Sequence, residues 1–77
     1  MPIDVKSLDP ASRKLFSYFR YRHLPEHLQS RSRPFRDLAE HILESTPASA
    51  ERTAAMRKLL EAKDCAVRAA LPDDPED

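Results

Sequence analysis

With 77 residues the chain has room for one domain at most, and its 13 Lys/Arg residues balance its 13 Asp/Glu residues to a net charge of zero. That balance excludes the overall basic character of a general duplex-DNA binder. The absence of glycine excludes Rossmann turns, P-loops and GxSxG nucleophile elbows, all of which need glycine where the backbone turns sharply or approaches a phosphate.

Asparagine is missing too, so the residues of tight β-hairpin turns are absent. The seven prolines supply the punctuation, and the Ala, Leu, Arg, Glu and Lys between them favour helix. The fold class expected is all-α, as a single domain over residues 1–77. Residues 1–8 read as irregular. Asp9 caps a short helix over 9–19, with Pro10 at its first position. Residues 20–33 contain Pro25 and two polar clusters and read as a loop or a broken helical turn. A helix over 34–45 opens with Pro34 and carries Phe35, Leu38, Ala39, Ile42 and Leu43 on one stripe. Ser45-Thr46-Pro47-Ala48 breaks it, Ser49 caps the next helix, and that helix fills 49–70. Pro72 ends it, and the acidic tail 71–77 is expected to be disordered. The short link between the two longer helices predicts an antiparallel helical hairpin.

The last helix carries two apolar stripes, one through Ala55, Leu59, Ala62 and Ala66, the other through Met56, Leu60 and Val67 with Lys63 interrupting. Two stripes invite two partners: the hairpin's other helix and either a second protomer or the chain's own N-terminal segment. A domain this small buries only about 60% of its unfolded surface. With Cys65 alone no internal disulfide can form, so self-association is the expected stabilising device. A lone cysteine fits a reducing cytosol. Met1 to Asp9 has no apolar core of a signal peptide, and no apolar run approaches the roughly 20 residues of a membrane span. A cytoplasmic protein without a membrane partner is expected.

Chemistry concentrates in one third of the chain. All five aromatics, Phe16, Tyr18, Phe19, Tyr21 and Phe35, lie between residues 13 and 36. So do seven of the Lys/Arg residues, with Glu26 the only acid among them. Flat rings stack on nucleobases and fixed cations hold phosphates, so the cluster suggests a small ligand carrying both. The alternative is a core of rings with a rim of arginines. Tyr21 offers a ring and a hydroxyl, and Phe19 would share its side of a locally extended segment. Arg36 and Arg33, near the start of the hairpin helix, are placed to meet a phosphate. Phe16, Tyr18 and Phe35 read as packing residues. His23 and His27 stand at i, i+4 with Pro25 between them and no evident third ligand, so neither a metal nor another cofactor is expected. Cys65 lies within an alanine-rich helix and reads as an inert thiol. No catalytic constellation assembles, and the chain is not expected to be an enzyme.

The chain resembles the small helical-hairpin phage proteins that act as cyclic-oligonucleotide sponges against the bacterial CBASS and Thoeris defences. The resemblance spans about residues 19–70. It rests on Phe19-Arg20-Tyr21, Leu38-Ala39-Glu40-His41-Ile42 and Ser45-Thr46-Pro47, followed by Ser49-Ala50-Glu51-Arg52-Thr53, Ala55-Met56-Arg57-Lys58-Leu59, Glu61-Ala62 and Ala66. It implies a homo-oligomer, a hexamer in the best-known members, that sequesters cyclic dinucleotides such as cGAMP at protomer interfaces without cleaving them. It implies base stacking by Tyr21 and phosphate contact by Arg36, which stands where the family has a lysine. Phe19, His23 and Arg33 complete the ligand-binding set expected here. A second site for cyclic trinucleotides would involve Arg52, Thr53 and Arg57. The chain departs from the pattern after Tyr21, where Arg22, His23, Leu24 and Pro25 replace an immediate His and Pro, and residues 1–15 have no counterpart. The competing reading is a helical homo-oligomeric interaction module that binds a protein partner or nucleic acid.

Overall fold

The structure, a computed structural model, describes residues 4–71, so the expectation of a disordered tail falls largely on residues outside the described ones. The regular structure of the described residues is all helical, with no strand among them. A 3₁₀ turn, Val5–Ser7, precedes three helices: α1 (Pro10–Ser17), α2 (Glu26–Ser45) and α3 (Ala50–Ala69).

Local chemistry explains most boundaries. The Asp4 carboxylate accepts from the Lys6 N–H and caps the 3₁₀ turn, an element absent from the sequence reading. Asp9 caps α1 by accepting from the Ser12 N–H at 3.2 Å, and Pro10 follows at the first position, where its missing N–H costs nothing. Ser49 caps α3 in the same way through the Arg52 N–H at 3.0 Å. The link over 46–49 is short enough to force α2 and α3 antiparallel.

One boundary needs correction. The loop expected over 20–33 ends at Pro25, and α2 starts at Glu26 and runs through Pro34. Pro34, expected at a first helical position, lies in the helix interior, where it deprives the Ser30 carbonyl of its N–H donor and its ring crowds that carbonyl. The start is set instead by Pro25, whose backbone is extended and whose carbonyl accepts from the Leu28 and Gln29 N–H groups. The Gln29 amide then donates to the Arg22 and Leu24 carbonyls, which ties the preceding loop to the first turn. The apolar stripe of α2 extends back to Leu28 through Ser32, which is wholly buried. A serine at a core position hid that continuation from hydropathy.

The core comprises Phe16, Phe19, Ala39, Leu43 and Met56, with Leu8, Leu15, Phe35, Ile42, Leu59 and Leu60 packed against it. The hairpin of α2 and α3 forms the main contact, and α1 lies chiefly along α3. Met56, on the second stripe of α3, is wholly buried in the same cluster as Phe16 and Phe19. The chain's own N-terminal segment therefore meets that stripe, and the case for a neighbouring protomer there no longer follows from an uncovered face. Two polar pins fix α1 against α3. Near its start, Arg52 reaches Asp9 at 2.8 Å and the Ser12 hydroxyl at 3.1 Å. At its end, the Lys63 ammonium donates to the Tyr18 carbonyl at 2.6 Å. Both pins hold only if α1 and α3 run in the same direction.

Candidate functional site

The end of α1 generates the site. Helix α1 stops at Ser17 because the Tyr18 and Phe19 N–H groups turn back to Leu15 and Phe16 in tight i→i−3 bonds. Its last carbonyls are left for other donors. Arg20 Nε takes the Ser17 carbonyl at 3.1 Å, and Lys63 takes that of Tyr18. Cations at a helix C-terminus are favoured by the helix dipole, so the fold itself recruits them here.

The result is a hollow of about 710 Å³ lined by Ser17, Tyr18, Arg20, Tyr21, Arg22, His23, Arg36 and Lys63. This volume is in the range of small-ligand sites. Four of these side chains are fixed cations and two are phenols, and none is a carboxylate. Tyr21 is half-buried, with the Arg22 guanidinium 5.9 Å from its ring centroid. Tyr18 is 49% exposed. Arg36 arrives from α2 with its guanidinium 5.0 Å from the Phe16 ring centroid and paired with Glu40, one turn along the helix. That pairing holds the guanidinium at the rim but shares its charge with a carboxylate. The Lys63 side chain is largely buried, with its ammonium 5.9 Å from the Phe19 ring centroid.

The structure therefore brings together Tyr21, Arg36 and His23. Phe19 and Arg33 do not join them. Phe19 is 0% exposed and has no surface to offer a ligand. Phe19 still belongs to the turn that ends α1, its N–H donating to the Phe16 carbonyl. Arg33 lies on the exposed side of α2, 3.9 Å from Asp37, outside the hollow. Tyr18, Arg20, Arg22 and Lys63 were not singled out by sequence reasoning. The first three lay in the aromatic-basic segment, and Tyr18 was assigned to packing. Lys63 had shown itself only as a cation interrupting an apolar stripe, which marks a stem that is buried and a head that must emerge somewhere.

Of the expected second site, Arg52 is taken up by the fold of the protomer itself. Arg52 is only 8% exposed, and its guanidinium is spent on Asp9, Ser12 and the Thr46 carbonyl. Its Nε has no partner. Thr53 turns its hydroxyl to the Ser49 carbonyl at 3.1 Å, and Arg57 is exposed. A guanidinium held in this way is structural. Hydrogen bonds from the Ser12 side chain and backbone, with Arg52 adding to them, lower the Asp9 carboxyl below its ordinary range.

His23 belongs to the loop and His27 to α2, so the two do not share a helix face. Among the described residues no group of three or more His, Cys, Asp and Glu is placed to hold a metal ion, and no helix is long and apolar enough to cross a membrane. No family model matches the chain, and no curated protein or solved structure matches it either.

Proposed function

We propose that the protein sequesters a small cyclic oligonucleotide, without chemically altering it, in the hollow at the end of α1. The observation that carries the reading is the composition of that hollow: two tyrosine rings among four fixed cations, with no lining carboxylate. Aromatic faces take bases whatever their identity, at about 1–3 kcal/mol each, and guanidinium groups take phosphate oxygens through paired hydrogen bonds. A cyclic dinucleotide presents both chemistries in a compact body. The resemblance over residues 19–70 supports the cyclic form of the ligand and a role in countering CBASS-type defence within a bacterial cytoplasm. It also supports assembly as a homo-oligomer, a hexamer by that likeness, in which a neighbouring protomer closes the open side of the hollow.

Isothermal calorimetry with cyclic dinucleotides and trinucleotides tests the proposal. Tyr21→Ala and Arg36→Ala should each weaken binding by roughly 1–3 kcal/mol while the oligomeric state by light scattering stays the same. Absence of binding to every cyclic nucleotide by a folded protein would sink the reading. Salt-steep binding to single-stranded or duplex nucleic acid in its place would favour a nucleic-acid interaction module. Ligand recovered in altered form would make the protein an enzyme.

A further inference from the structure

The basic hollow has a neighbour. A smaller hollow of about 350 Å³ is lined by Tyr18, Leu60, Lys63 and Asp64. Tyr18 and Lys63 line both, so the half-exposed Tyr18 is common to the two. Their chemistry differs. Beside its rings the larger has four fixed cations, the Ser17 hydroxyl and the His23 imidazole, and no carboxylate. The smaller has the half-buried Leu60 as an apolar surface and Asp64 as its one carboxylate.

Asp64 is held by the fold only through a long ion pair to Lys63. Its side chain is about half exposed, it accepts no hydrogen bond among the described residues, and the Lys63 ammonium stands 4.0 Å away. That ammonium already donates to the Tyr18 carbonyl. An ionised carboxylate only accepts hydrogen bonds, so it selects a base edge with adjacent donors. Among the RNA bases guanine alone has two adjacent N–H donors on its Watson–Crick edge, the ring N–H and the 2-amino group. Adenine and cytosine pair an amino group with a ring-nitrogen acceptor, and uracil flanks its N–H with carbonyls.

Building on the ligand class proposed above, we infer that the two hollows form one bipartite site. A guanine lies in the smaller hollow against Tyr18 with its Watson–Crick edge on Asp64, and the phosphates and second nucleoside occupy the larger. Asp64 is then the residue that sets base specificity.

The test is calorimetry of the intact protein with cyclic diguanylate and cyclic diadenylate. The wild type should bind the diguanylate roughly tenfold or more tightly, as expected for one bidentate base contact. In Asp64→Asn, which keeps the size but adds a donor, the ratio should fall to about twofold or less, with diadenylate affinity unchanged or raised because the amide can pair with adenine's amino group and ring nitrogen. Asp64→Ser is the second variant, and circular dichroism confirms that each folds. Equal binding of the two ligands by the wild type, or a preference kept by both folded variants, overturns the inference. Those outcomes leave the sequestration proposal standing, whereas failure to bind any cyclic nucleotide removes both.

Discussion

Arginine serves opposite purposes at the two ends of α1. At the start, Arg52 is buried against Asp9, Ser12 and the Thr46 carbonyl, and its charge is cancelled where it sits. At the end, Arg20 and Arg22 border a hollow whose lining contains no acid, with Arg36 at its rim. The two regions share residue types and the same supporting helices, α1 and α3. What separates them is burial. A cation buried against an internal anion becomes part of the scaffold, whereas Arg20 and Arg22 are exposed and Arg36 is partly so even beside Glu40, which leaves their charge within reach of a ligand.

The largest effect should come from breaking the scaffold end. Arg52→Ala removes three hydrogen bonds that join α1, the hairpin link and α3, and should cost roughly 2–4 kcal/mol in urea melts. Ligand affinity of the folded protein should stay within about twofold of wild type, because Arg52 lies outside the hollow. A large loss of affinity at unchanged stability would show that the two ends are not distinct.

Lys63 belongs to both functions and sharpens the contrast. Lys63→Met keeps the packed stem but loses the bond to the Tyr18 carbonyl, and should lower stability by about 1 kcal/mol. It should also weaken ligand binding several-fold by removing one of the four cations. An effect on only one of the two properties would assign Lys63 to one end.

The smallest effect concerns pH. The Asp9 carboxyl titrates below its unfolded value, so the folded state holds its proton less tightly. The stability it contributes is complete above the unfolded value of 3.8 and is lost as pH falls below that, through the lowered folded value. Asp9→Asn should flatten this acid limb in denaturation curves taken at successive pH values. Ligand binding near neutral pH should not change. An acid limb unaltered by the substitution would mean that other carboxylates set it.

Much of this was legible in the chain. The all-helical class followed from missing glycine and asparagine, and two of the caps followed from Asp9-Pro10 and Ser49. Those signals act within one helical turn, so the sequence states them directly. Tyr21, His23 and Arg36 were recognisable as ligand candidates because aromatic and basic residues concentrate around them. The start of α2 was not legible, because Pro34 carries the same local signal inside a helix as at its first turn, and Ser32 broke the apolar pattern at a buried position. Nor was the division of labour among the rings and cations. Phe19 and Tyr21 are two residues apart, yet one is core and the other lines the hollow. Arg52 and Lys63 are both polar residues on α3, yet one is cancelled and the other reaches the site. These outcomes depend on where α1 lies along α3. The sequence by itself determined the helices and the kind of chemistry available. Only tertiary packing decided which charges met an internal partner and which were left facing an open hollow, since that pairing joins residues some 40 positions apart.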